Sequence, residues 1–375
     1  MKKKRETKEK RWIFRCDGSP ESTEKVEKIA SSLGIDPIIS RLLYNRGYTD
    51  TLSARNFIGM ESEMLSNPFD MADMQKAIDR IARAVKDGEK ITVYGDYDVD
   101  GVTSVCTLYL YLSTLGADVE YYIPNRAGEG YGVSNSAIES IAQGGTTLII
   151  TVDTGITAND EVLFAKEHGV DFVITDHHEC RADLPLAEAV VNPHRPDCPY
   201  PFKELAGVGV VFKLICAYEE SVLGYSRMDA VRRICLSYAD LVAIGTIADV
   251  MPIKEENRIV VKLGLDMIEN SPRLGISALI EASSSKLEGQ RLDKKKRKVK
   301  ITSGYVGYTL APRINAAGRI KSAEIAVEMF LAENLDKELF DAVLVGITKD
   351  GKWWIFGGST DDLRNHVWQE KRALL

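Results

Sequence analysis

The sequence predicts an α/β protein: a parallel sheet with helices on both faces, preceded by a small helical leader and followed by a helical, basic connector. Three observations carry this. From Lys90 onward, short apolar runs alternate with amphipathic stretches of helical period, the pattern of strand–helix–strand units. The short runs are apolar at successive positions, as strands covered on both faces must be. Polar residues gather where the runs end, and ligands of open α/β sheets sit beyond the carboxyl ends of strands.

The elements follow in order. Between Glu21 and Glu89, apolar residues recur at three-to-four spacing in VEKIASSLGI, IISRLLYNRG and MQKAIDRIARAV, which predicts helices. Gly34, Gly47 and Gly88 stand after such segments, where a C-cap glycine is expected. The strand ITVYG comes next, then the helical stretch VTSVCTLYLYLSTLG and the strand VEYYIP. Helix SNSAIESIAQ, strand TLIITVD, helix NDEVLFAKEHG, strand FVITDHH and the short strand AEAVVN continue the alternation. The chain then turns helical through GVGVVFKLICAYEES and MDAVRRICLSYADLVAIGTIA. A basic connector, RLDKKKRKVK, precedes ITSGYVGYTLAPRINAAGR, and no fixed-period repeat is present. The expected division is a leader over 1–84, a sheet domain over 85–270, a connector over 271–335 and a divergent tail over 336–375.

Composition narrows the classes. No apolar run reaches the length of a membrane span. The start, MKKKRETKEKRW, is charged without the apolar core of a secretory signal. Six cysteines are scattered with no C-x-x-C pair, so a disulfide framework or thiolate zinc site is not expected, and a cytoplasmic setting is the simplest reading. A net charge of −7 argues against wholesale coating of nucleic acid but permits a local basic groove.

The chemistry concentrates in four clusters. The first strand runs into Gly95-Asp96-Tyr97-Asp98-Val99-Asp100-Gly101, the third into Asp153-Thr154-Gly155, and the fourth into Asp176-His177-His178-Glu179. Asp249 closes a long apolar helical run. Two like charges about 4 Å apart repel by roughly 4 kcal/mol at an effective dielectric of about 20. Several such pairs rival the stability of a domain, roughly 5–15 kcal/mol. Either the carboxylates protonate or cations sit among them. Imidazole beside carboxylate suits Mn²⁺, other transition metals or Mg²⁺. A calcium loop fits poorly, because no glutamate stands at the twelfth position from Asp96 or Asp98. Taken singly, a strand-end aspartate such as Asp153 is as readily a helix N-cap. Tyr94 reads as sheet packing and His168 as a helix C-terminal residue; His194, in a proline-rich loop, supports a neighbour of the site or is a plain surface residue.

The segments VYGDYDVDGVTS, TVDTG, TDHHE, VNPHRPDCPYP with ELAGVGVVFKL, IGTIADVMPI and APRINAAGR occur in this order, and together they resemble the DHH phosphoesterase superfamily. Within it the chain is similar to the RecJ family of bacterial single-strand-specific 5′-exonucleases, from about Trp12 to Leu331. The resemblance implies a DHH phosphoesterase fold and two divalent metal ions, Mn²⁺ or Mg²⁺. It implies that Asp98 binds one metal and Asp100 the other, that Asp153 bridges them, and that His177 and Asp249 complete the second site. Asp96 would belong to the same shell, and His178 would hydrogen-bond or polarise the scissile phosphate. Many superfamily members carry histidine where Tyr94 stands, which implies fewer protein ligands for the first metal here. Arg313 is the expected phosphate contact, with Asn315 and Arg319 beside it. Lys294 to Lys300 reads equally as solvated charge or as a track for the DNA backbone.

The implied activity is hydrolysis of single-stranded DNA from its 5′ end, in DNA repair and recombination, with single-stranded DNA as partner. Relatives of this kind continue past AAGR into a second domain with a Gly-Gly-His motif. Here Gly357-Gly358-Ser359 lacks the histidine, and the tail carries Trp353 and Trp354. A C-terminally truncated enzyme with weakened activity is therefore expected. The alternatives are a phosphodiesterase for short oligonucleotides or cyclic dinucleotides, and a non-catalytic nucleic-acid-binding remnant.

Overall fold

The structure is a computed structural model that describes residues 18–59, 65–125, 132–285, 300–320, 322–332, 344–347 and 353–356. They fall into two compact units, those before residue 65 and those from Leu65 onward.

The first unit holds three helices: α1 (Pro20–Leu33), α2 (Pro37–Tyr44) and α3 (Thr51–Gly59). Ser19 and Asp36 cap α1 and α2, each followed by proline at the first helical position, where the missing N–H is no loss. Gly34 ends α1 in the left-handed conformation expected of it. Ile29, Leu43 and Ala54 form its small core.

The second unit opens with helix α4 (Met74–Asp87), which packs against α8 and β5 of the sheet unit described next. The expected boundary at residue 84 thus falls inside α4, whereas the division in compactness comes before Leu65. Five parallel strands follow: β1 (Ile91–Gly95), β2 (Val119–Tyr122), β3 (Leu148–Val152), β4 (Asp171–Thr175) and β5 (Ala189–Val191), in the order β2-β1-β3-β4-β5. Helices α5 (Val99–Thr114), α6 (Asn135–Gln143) and α7 (Asn159–Glu167) connect them. Strands β1 and β3 are buried at every position, as a sheet covered on both faces requires.

Strand alternation sorts the core. Tyr94, Ile149, Phe172, Ile174 and Val190 pack with α6 and α7 on one face. Their neighbours along the strands, Val93, Ile150 and Val173, are buried on the opposite face, against which α5 and α8 (Gly207–Ser221) pack. Helix α9 (Arg227–Ala248) crosses α5 and α8, and α10 (Glu255–Asn270) lies on α9. After α11 (Leu274–Ser285) and α12 (Ser303–Tyr305), a π turn at Val306–Leu310 leads into α13 (Ala311–Ile320) and α14 (Glu324–Leu331). In the tail, β6 (Leu344–Ile347) and β7 (Trp353–Phe356) pair antiparallel; their side chains, Trp353 and Trp354 included, lie outside the described residues.

One ionic group is fully enclosed. Lys213 on α8 and Glu256 on α10 meet at 2.5 Å with side chains 2% and 3% exposed. Tyr200 donates to Glu256, as does the backbone N–H of Ser66, while the Ser66 carbonyl accepts from Lys213. A buried pair is tolerable when its remaining polar atoms are satisfied, and this one ties the start of the unit to two helices. The five described cysteines are free, and no helix among the described residues is long and apolar enough to cross a membrane.

Candidate metal centre

The carboxyl ends of β1, β3 and β4 bring the acidic clusters together. Asp98 caps α5, its Oδ1 accepting from the Gly101 N–H at 2.9 Å, and this places Asp100 in the first turn, 1% exposed. The Asp100 carboxylate also accepts from two backbone N–H groups at the start of α8, Gly207 at 2.6 Å and Val208 at 3.0 Å. Asp153 follows β3 directly with φ +59°, and the next helix, α7, is capped at Ala158, so Asp153 is no helix cap; its side chain is buried in the same crevice. An aspartate tolerates this left-handed conformation better than most residues. His177 and His178 follow β4, and Asp249 ends α9.

His177 is the common point. Its Nε2 lies 3.1 Å from Asp153 Oδ1, 3.7 Å from Asp249 Oδ2 and 3.9 Å from Asp100 Oδ2. Two ligand sets result, Asp153 with His177 and His178, and Asp100 with His177 and Asp249, each with its donor atoms within 4.8 Å of one another. Two glycines make this closeness possible. A Cβ at Gly207 would stand 2.5 Å from Asp153 Oδ1, and one at Gly245 would stand 2.7 Å from Asp100 Oδ1. Neither expected ligand Asp98 nor Asp96 belongs to these two sets; Asp96 is buried after β1, accepting from the Tyr97 N–H.

The electrostatics are those of a site built for cations. Burial, and then the charges of Asp98 and Asp249, raise the Asp100 carboxyl well above the ordinary carboxylate range. Burial with Asp100 and Asp98 does the same to Asp153. Burial and Asp98 push Asp249 up to about 6. Burial and the neighbouring His178 bring His177 down to about 4, so its ring is neutral and able to ligate. The buried Asp153 Oδ1 has no hydrogen-bond partner even though His177 Nε2 is 3.1 Å away. An orphaned buried carboxylate oxygen beside a neutral imidazole is a donor set in search of a cation, and oxygen with nitrogen suits Mn²⁺ or Mg²⁺ better than a thiolate metal.

His178 is set apart from its neighbour by Asp176. Burial alone would raise the Asp176 carboxyl, but its bonds from His178 and from the Ile156, His177 and His178 N–H groups hold it below the ordinary range. It in turn accepts from His178 Nδ1 at 2.8 Å and lifts that imidazole to about 9, so His178 stands charged and 44% exposed at the rim. Nothing local in the sequence marks Asp176 for this role, nor Asn192, which donates to the His178 carbonyl at 2.9 Å. His194 supports that neighbour: its N–H donates to Asn192 Oδ1, and its ring spans Glu179 and the Lys203 carbonyl.

The remaining candidates distribute differently. Tyr94 is fully buried, stacked on Tyr122, and donates to the Gly132 carbonyl, which is a packing role. His168 caps α7, its Nδ1 at 2.8 Å from the Phe164 carbonyl. Arg313 lies on α13 with Nη1 donating to the Thr309 carbonyl at 2.5 Å. Its Nε is buried without a partner, and burial pulls its guanidinium below its ordinary pKa, as for a cation awaiting an anion. Asn315 is partly buried on the same helix. The side chain of Arg319 and the basic run from Lys294 lie outside the described residues, except exposed Lys300.

Comparison with known proteins agrees with this site. Residues 90–246 match the DHH family, N-terminal domain. The chain is 44% identical over 311 residues to the single-stranded-DNA-specific exonuclease RecJ of Bacillus subtilis, covering 83% of this chain and 37% of that one. It is 34% identical over 308 residues to the Escherichia coli RecJ, covering 80% of this chain and 50% of the relative. Among solved structures, RecJ from Thermus thermophilus in complex with Mn²⁺ superposes with a TM-score of 0.67 at 30% identity, over 86% of this chain and 42% of that one. The chain thus spans between a third and about half the length of these relatives. With the aspartate and histidine cluster at the strand ends, residues 90–246 match the DHH family's N-terminal domain, in a chain similar to RecJ exonucleases over about four fifths of its length.

Proposed function

We propose that the chain is a metal-dependent phosphodiesterase that hydrolyses single-stranded DNA from the 5′ end and releases nucleotides. The observation that carries this is the convergence of Asp100, Asp153, His177 and Asp249, with an orphaned Asp153 oxygen beside a neutral His177 ring. In this reading Asp100, Asp153, His177 and Asp249 hold two divalent cations, with Asp98 adding charge to the site and Asp96 behind it. Bound Mn²⁺ or Mg²⁺ supplies Lewis-acid activation of water and neutralises charge on the scissile phosphate. His178, kept protonated by Asp176, presents a hydrogen-bond donor and a positive charge to a phosphate oxygen. Arg313 supplies a fork-shaped cation for a neighbouring phosphate, with Asn315 and Arg319 on the same helix. The segment 85–270 carries the cluster, and the connector 271–335 brings Arg313. The match to RecJ relatives supports DNA over small phosphodiesters.

The test is digestion of single-stranded DNA labelled at the 5′ or 3′ end, with a duplex and a cyclic dinucleotide as controls and Mn²⁺ present or chelated. Early release of the 5′ label, dependent on Mn²⁺ and lost in Asp153→Ala, is expected. No digestion by folded, Mn²⁺-binding protein removes the proposal.

A further inference from the structure

We propose that Val250 and Tyr308 form an apolar and aromatic seat for an unpaired nucleobase at the rim of the acidic cluster. The inference rests on the nuclease reading above and names the part of the substrate that these two residues hold.

The end of α9 is the starting point. The Asp249 N–H donates to the Gly245 carbonyl, Val250 to Ile247 and Met251 to Thr246. This is the Schellman closure, in which the residue after the cap turns left-handed and is usually glycine. Here it is Val250, at φ +60°. A β-branched residue in that conformation is a genuine outlier. Burial does not compensate, because Val250 is 85% exposed. Glycine would make the same turn with less strain, so the fold has no use for this side chain.

Tyr308 presents the same anomaly. It too is 85% exposed, and no other large apolar side chain described reaches that value. It sits on the π turn Val306–Leu310, a kind of irregularity that occurs mostly at functional sites. Both residues issue from backbone that meets the last turn of α9. A Cβ at Gly307 would lie 3.4 Å from Ile247 Cγ2, and the Ile247 carbonyl accepts from Val250.

Between Ile247 and Val250 stands Asp249. Its side chain is 29% exposed, against 1% for Asp100 and 2% for Asp153, so the cluster opens to solvent on the side of α9. A nucleotide entering there brings a charged phosphate for the cations and His178, and an uncharged aromatic base beside it. Tyrosine offers a face for stacking, which is tolerant of base identity. Valine offers an apolar edge. A base held in a duplex is fixed by its pairing and stacking, whereas an unpaired base is free to turn a face onto the tyrosine. The seat therefore favours a single strand without reading its sequence.

The test uses a 3′-fluorescein-labelled thymidine strand with phosphorothioate linkages to slow cleavage, in Mn²⁺, read by anisotropy on the full chain. A matching strand lacks the bases of its 5′-terminal nucleotides. Tyr308→Ala is expected to weaken binding about ten-fold, the scale of one lost base stack, while Tyr308→Trp retains it. Val250→Gly is expected to weaken binding several-fold while its melting temperature holds or rises, because glycine relieves the left-handed strain. On the abasic strand the wild type loses affinity and the variants lose little more, the signature of a shared contact. Variants that bind the intact strand like wild type overturn the proposal, as does an equal loss on both strands. Unchanged strand binding with lost self-association in sedimentation would assign the pair to a protein contact instead. If the wild type neither binds nor cleaves the strand, the nuclease reading falls and this one with it; if it does both and the variants match it, only the base seat falls.

Discussion

Replacing Asp153 by asparagine separates what the centre costs the fold from what it does. Asp153 Oδ1 and Asp100 Oδ2 lie 3.1 Å and 3.9 Å from the same His177 nitrogen. They are therefore no more than about 7 Å apart, a repulsion of at least about 2 kcal/mol between two charges at an effective dielectric of about 20. Asparagine removes that repulsion, keeps the shape and accepts φ +59° readily. Metal-free Asp153→Asn is expected to melt about 3–6 °C above the metal-free wild type at pH 8. The pH dependence fixes the sign. Folding raises the pKa of Asp153, Asp100 and Asp249, the last to about 6. Groups raised in this way add stability while protonated, at low pH, and that stability is lost as pH rises through their folded values. Asparagine mimics the protonated form, so its advantage is least at or below about pH 4, the ordinary carboxylate pKa, and grows as pH rises from there to the raised folded value of Asp153. With Mn²⁺ the order reverses: the wild type gains stability by ligation and the variant gains much less, with nucleotide release lost. Differential scanning fluorimetry across pH, with chelator or Mn²⁺, measures all of this. A metal-free variant that melts below wild type at pH 8 would refute the view of these carboxylates as a frustrated, cation-requiring cluster.

Three further outcomes are expected. Asp176→Asn replaces the charged acceptor that lifts His178 to about 9 by a neutral amide, so the ring titrates nearer its ordinary value and the alkaline limb of any phosphodiesterase activity moves to lower pH; imidazole NMR titration reads the shift directly, and an unmoved His178 contradicts the assignment. Gly245→Ala places a methyl 2.4 Å from Thr103 Oγ1 and 2.7 Å from Asp100 Oδ1, for an overpacking cost of about 1–3 kcal/mol and weakened Mn²⁺ binding by calorimetry; wild-type binding would show that α9 yields easily. Lys213→Met leaves Glu256 buried and unpaired, with an expected loss of about 3–5 kcal/mol in urea denaturation. Only a small change there would mean that Glu256 is protonated or hydrated in the native state.

Much of this protein is readable from its residues in order. Short runs apolar at successive positions place β1 to β5, and period-3.6 patterning places the helices between them, because the strands are covered on both faces and the helices on one. The strand-end rule then brings Asp100, Asp153 and His177 to one crevice before any distance is known. Asp249 is less obvious, since it ends a helix and the strand-end rule does not reach it.

Other roles are invisible along the chain. Asp98 reads as a ligand, yet one of its oxygens caps α5. Asp176 precedes two histidines, but its service to His178 depends on a turn that also gathers the Ile156 N–H. Gly207 and Gly245 have no local signature for their function; they matter because α8 approaches Asp153, and α9 approaches α5, too closely for a Cβ. Lys213 and Glu256 are ordinary surface types in sequence, and only the folded arrangement that brings α8 and α10 together around this pair encloses them. The sequence alone determined the sheet, the elements and the chemistry at the strand ends, because those follow from local periodicity and residue type. The tertiary structure decided which carboxylates face one another, which histidine is neutral and which is charged, and where the crevice opens, because each depends on burial and on distances between residues far apart in the chain.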